Sequence, residues 1–126
     1  MERSVSLLAD PRSVGEAREQ LRGVLCGRGI DRQRVQDALL VTSELVANAI
    51  RHGSRQGDRF ELEFQLVDHR LSLCVRDAGH ACAAPQVRAV DTERSTGRGL
   101  AIVSRLARWS EHEVDGRREV RAEMDL

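Results

Sequence analysis

Lysine is absent from this chain: all 20 basic residues are arginine. That excludes one large class, because a P-loop needs a lysine to reach the terminal phosphates of its nucleotide. Tyrosine is also missing and aromatics make up only 2% of the residues, a bias that carries no functional message. Neither sign of charge is in excess, at 20 acidic against 20 basic groups, so there is no basic field of the kind that binds nucleic acid. No apolar run approaches membrane-spanning length. The opening "MERSVSLLADP" is too short and too charged for a secretory signal. Cysteines are few: Cys26, Cys74 and Cys82 are odd in number and lack metal spacing. They read as free thiols in a reducing cytosol, and the protein is expected to be soluble and cytoplasmic.

What is present is a well-patterned globular sequence. Its 126 residues predict one domain, 1–126, with one hydrophobic core. Val5 to Ala9 reads as a first strand, broken at Asp10-Pro11. "SVGE" offers a capping box, with Ser13 at the cap and Glu16 three residues on. A helix follows and ends at Gly27 and Gly29. Asp31 caps a second, longer helix running to Gly53. Its wheel has a wide apolar arc of Val35, Ala38, Leu39, Thr42, Leu45, Val46, Ala49 and Ile50. Arg34, Asp37, Glu44, Asn48 and His52 lie opposite.

Phe60, Leu62, Phe64 and Leu66 alternate with polar residues in a half-buried strand. "DHR" is a tight connection into a hairpin, whose next strand turns Leu71, Leu73, Val75 and Asp77 inward. Ala78 to Thr96 has no periodicity and is too long for a plain connector. "STGRGLAIVSRLARW" starts a further helix. Asp115-Gly116 is a hairpin signal, and Val120, Ala122 and Met124 alternate in the last strand. The order β, α, α, β, β, loop, α, β, β predicts an α/β (α+β) two-layer sandwich. Its sheet is mixed, mostly antiparallel, and covered on one face by helices.

Three features carry possible chemistry. Glu44, Asn48 and His52 recur every four residues, so they stack on one helix face. They form either a solvated surface or a site. An amide oxygen suits Mg²⁺ and a neighbouring carboxylate suits general-base work. Asp77 continues a core-facing row, where a carboxylate is costly unless something donates to it. The donor is either local backbone, as in an Asx turn, or a ligand amino group such as the N6 of adenine. Gly79 would let a flat ring approach. Finally, Gly97-Arg98-Gly99 opens a helix, where backbone N–H groups favour phosphate. A dinucleotide fingerprint is ruled out there, since "DTERS" is no strand and Ile102 stands where a further glycine is needed. His52, His69, His80 and His112 have no metal spacing.

In this order, "SELVANAIRHG" on a helix, "VRDAG" at a strand end and "STGRGLAIV" opening a helix resemble the N, G1 and G2 boxes of the GHKL ATPases. The likeness covers about Asp31 to Leu106. It is closest to the small stand-alone bacterial anti-sigma factors that are also serine kinases. The resemblance implies a Bergerat ATP-binding fold with ATP and Mg²⁺ as cofactors. It also implies residue roles: Asn48 at the metal, Glu44 as catalytic carboxylate, and Asp77 at the adenine amino group with Gly79 under the ring. Gly97, Arg98 and Gly99 would lie at the phosphates. His52 and Leu100 would complete the nucleotide-binding set, and 78–96 would be the ATP lid. The implied partners are a sigma factor, an anti-sigma-factor antagonist protein and a second copy of the chain. Direct contact with nucleic acid or membrane is not expected. The sequence departs from the family pattern at Ala81, where a second G1 glycine is usual, and at Ala101, where a third G2 glycine is usual. Two further readings stay open: a GHKL module that binds partners without kinase activity, and a detached ATPase domain acting on a partner histidine. No phosphoacceptor-histidine helix pair precedes the motifs, which argues against a complete histidine kinase.

Overall fold

A computed structural model describes residues 1–55, 57–78 and 97–126, with only the backbone described at 53 and 97–100. The expected lid therefore lies outside the described residues, save Ala78. The elements are β1 (Glu2–Leu8), α1 (Arg12–Leu25), α2 (Arg32–Asn48), a π turn (Ala49–Gly53), β2 (Arg59–Val67), β3 (Arg70–Asp77), α3 (Gly97–Leu106), β4 (Arg108–Val114) and β5 (Arg117–Asp125). This is the order read from the sequence.

The strands form one five-stranded sheet in the order β1-β2-β3-β5-β4. Every pairing among the described residues is antiparallel. Period-two alternation decides which face is buried. Phe60, Leu62, Phe64 and Leu66 of β2, Leu71, Leu73 and Val75 of β3, and Val120, Ala122 and Met124 of β5 all face the core. Ala17, Leu21, Val24 and Leu25 of α1, Leu39, Leu45 and Val46 of α2, and Val103 of α3 complete it. The result is a two-layer α+β sandwich in which α2 packs against both α1 and α3. Two hairpins turn through left-handed residues, Asp68 and His69 (φ 48° and 64°) and Asp115 and Gly116 (φ 53° and 76°). That geometry matches the twist of antiparallel strands. Among the described residues no helix is long and apolar enough to cross a membrane. Cys26 is exposed and Cys74 buried, both as free thiols.

The structure corrects two local expectations. Ser13 is not the cap of α1. The helix starts at Arg12 after Pro11, whose φ of −53° is already helical. The Ser13 hydroxyl instead donates to the Leu8 carbonyl at 2.6 Å, and Asp10 Oδ1 accepts from the Arg12 amide at 2.9 Å. The cap position is Pro11 and makes no side-chain cap hydrogen bond, so no capping box forms. The second helix does reach Gly53, but its last five residues widen into the π turn. Asp31 caps it as expected, accepting from the Gln33 amide at 3.2 Å.

Candidate functional site

Asp77 is the last residue of β3 and is fully buried. The sequence left its donor open between backbone and ligand. The structure supplies a third source, the guanidinium of Arg118. Arg118 stands directly opposite Asp77 in the β3–β5 register. Its Nη2 and Nε donate to the same oxygen, Asp77 Oδ2, at 2.7 and 3.0 Å. Both side chains are 0% exposed. Removing two ions from water is costly, and only close, hydrogen-bonded pairing of this kind offsets it.

Sequence reasoning missed Arg118, although a signal was there. Counting back two residues along the inward row Val120, Ala122, Met124 gives Arg118. It is a charged residue of core-facing parity at the same end of the sheet as Asp77. Glu111 of β4 was missed too; its Oε1 lies 3.6 Å from Arg118 Nη1.

The guanidinium also joins β3 to the polar helix face. Arg118 Nη2 lies 3.5 Å from the Asn48 carbonyl, at the junction of α2 and the π turn. Such widened turns occur mainly as single-turn insertions, frequently at functional sites. The sequence places Asn48 on the polar side of the wheel, in either a solvated surface or a site. It is 3% exposed. The wheel treats α2 as having one covered side, whereas α2 has the sheet beneath it and a helix on each flank.

Some buried polar atoms lack a hydrogen-bond partner. Among the described residues they include Asn48 Oδ1, Ser54 Oγ and Arg118 Nη1. Such atoms are rare in folded proteins and call for an explanation. An orphaned, buried amide oxygen is a hard ligand of the kind Mg²⁺ takes. That ion commonly needs only one or two protein groups beside phosphates and water. The donor chemistry therefore fits the cation implied by the sequence.

Glu44, half-buried, lies one turn before Asn48, and half-buried His52 lies in the π turn after it. Gly97, Arg98, Gly99 and Leu100 begin α3, which packs alongside α2; their side chains lie outside the description, as does Gly79. The structure thus brings together Asn48 and Asp77 through Arg118, and sets the helix of Glu44 beside the helix that Gly97 opens. A depression of about 290 Å³ lined by Glu63, Cys74, Arg121 and others contains none of these residues.

This arrangement, helix polar face, strand-end carboxylate and glycine-opened helix on one antiparallel sheet, is that of an ATPase domain of the GHKL type. A family model for the histidine kinase-like ATPase domain matches residues 7–124, and the chain belongs to that family. A search of curated proteins finds no match to this chain.

Proposed function

We propose that this chain is a Mg-ATP-binding anti-sigma regulator. It holds a sigma factor and phosphorylates a serine of a small antagonist protein, acting in the cytoplasm as a homodimer. The observation that carries the nucleotide part is Asn48 Oδ1, buried and without a hydrogen-bond partner among the described residues, on the family's N-box helix one turn from Glu44. The partners rest on the sequence likeness to stand-alone anti-sigma kinases.

In this reading Asp77 accepts from the adenine amino group, and the glycines opening α3 lie at the phosphates. Mg²⁺, when bound, neutralises phosphate charge, with Asn48 as its protein ligand. The serine hydroxyl of the antagonist attacks the γ-phosphorus, its proton passes to the Glu44 carboxylate, and the bond to the β–γ bridging oxygen breaks to release ADP. Such transfer needs positioning and charge neutralisation more than covalent help.

Calorimetry with Mg-ATP, followed by single-turnover transfer of labelled phosphate to a co-purified antagonist, tests this. Glu44→Gln keeps the shape and removes the base. It should bind ATP at least as well as wild type and transfer about 10²–10⁴-fold more slowly. Asn48→Ala should lose metal-dependent affinity while its apo stability is kept or raised, since alanine is the better helix former. Equal transfer by wild type and Glu44→Gln would remove Glu44 from the chemistry. A normal Mg-ATP response in Asn48→Ala would remove the metal role. A second reading, a partner-binding module without transfer, draws on the Asp77–Arg118 pair, which gives the carboxylate a donor without nucleotide. Tight sigma binding with no heat of ATP binding would favour it.

A further inference from the structure

We infer that Arg118 is a positioning residue for base recognition: it holds the Asp77 carboxylate in the orientation from which it accepts a nucleobase amino group. The inference rests on the nucleotide reading above. The carboxylate torsion of aspartate is a broad, two-fold one, so burial alone does not set the plane in which its oxygens present their lone pairs. Here two N–H groups of one rigid guanidinium converge on Oδ2, at 2.7 and 3.0 Å. That side-on grip fixes which oxygen is engaged and the plane of the group. The register places the two residues directly across from each other, so the grip comes from the sheet itself. The same Nη2 reaches the Asn48 carbonyl at 3.5 Å, which ties the orientation of Asp77 to the end of the helix carrying Glu44 and Asn48.

Arg118 acts through Asp77 and need not touch the ligand. Its signature is therefore base discrimination rather than affinity as such. A residue that only stabilised the fold would alter binding of all nucleotides alike. A residue that aims Asp77 alters the preference for a base carrying an exocyclic amino group.

The experiment measures Mg²⁺-dependent binding of ATP and of purine riboside triphosphate, which lacks the 6-amino group, to wild type, Arg118→Met and Arg118→Lys. Wild type should favour ATP by about 10-fold, the equivalent of one well-made hydrogen bond at ~1.4 kcal/mol per decade. In Arg118→Met the preference should fall to about 2-fold or less, the equivalent of ~0.4 kcal/mol. Arg118→Lys should fall between, because an ammonium keeps the charge but lacks the planar fork. An unchanged preference in Arg118→Met overturns the inference, and Arg118→Lys decides in the same way if the methionine variant does not fold. Binding of both nucleotides by wild type without preference overturns it as well, leaving nucleotide binding intact. No binding of either nucleotide by wild type overturns the nucleotide reading and this inference with it.

Discussion

Two adjacent rungs of the β3–β5 ladder carry the same chemical pair with opposite polarity. On one, Arg76 of β3 faces Glu119 of β5; on the next, Asp77 of β3 faces Arg118 of β5. Because side chains alternate along a strand, the first pair lies on the open face of the sheet and the second under the helices. The open-face arginine is shared. It bonds Glu63 and Glu119 and lies 3.8 Å from Glu61, while Arg121 adds a second bond to Glu119 at 2.9 Å. Glu119 itself is 5% exposed, but the side chains of its partners Arg76 and Arg121 are 22% and 55% exposed, so water reaches this network. Arg118 is enclosed: among the described residues Asp77 holds it at 2.7 Å, the Asn48 carbonyl lies at 3.5 Å and Glu111 stands off at 3.6 Å. The comparison teaches that one pair of residue types does two jobs. The outer rung gathers several acidic side chains around one arginine on the open face, and the inner rung fixes a carboxylate where the candidate site needs one.

The largest effect should come from breaking the inner rung. Arg118→Met leaves Asp77 as a buried charge without its guanidinium, a change that typically costs about 3–5 kcal/mol. The urea midpoint should fall accordingly, at unchanged slope. The double variant Asp77→Val, Arg118→Met removes both charges and should recover most of that loss, since replacing a whole buried pair by apolar groups is often close to neutral. A double variant as unstable as the single one would show that packing around Arg118, and not its pairing, holds the region.

That inner rung also marks the limit of what the sequence made legible. Strand alternation, the Asp31 cap, the Gly27 and Gly29 stop and the Asp115-Gly116 hairpin are local signals, and the fold follows them. The family was readable too, through its motifs, and its model matches residues 7–124. The partner of Asp77 was not, because β3 and β5 are neighbours in the sheet but are separated in sequence by α3 and β4. Parity placed Arg118 inward; only topology placed it opposite Asp77. The burial of Asn48 was hidden for a related reason, since a helical wheel does not know that a second helix lies alongside. The π turn was hidden because widening by one residue leaves the apolar spacing of α2 readable through Ile50.

Breaking the outer rung sharpens the contrast. Arg76→Met should cost about 1 kcal/mol, the upper end for exposed pairs, because several acidic neighbours lose their common cation together. Its contribution should shrink as salt is raised, because ion pairs that solvent reaches are weakened by salt and buried ones much less. The loss in Arg118→Met should change little with salt, because no solvent reaches that pair. If both variants respond to salt alike, the two rungs do not differ in environment as their exposure implies.

The smallest effect is on acid stability, and it belongs to the outer rung. The hydrogen bond from Arg76, then that from Arg121, holds the Glu119 carboxyl below its ordinary value of 4.5. A carboxyl lowered on folding binds fewer protons in the native state than in the unfolded one. Its stabilisation is therefore fully present above pH 4.5 and is lost as pH falls through the lowered value in the folded protein. Asp10, lowered from 3.8 by the hydrogen bond from the Arg12 side chain, adds to the same slope. Urea titrations at steps between pH 3 and pH 6 should show stability rising with pH in wild type. In Arg76→Met the rise should be shallower, because Glu119 keeps only Arg121, but not absent, because Asp10 is untouched. An identical slope in the two proteins would mean that Arg76 lends Glu119 no protonation-linked stability, and that the outer rung is held by geometry alone.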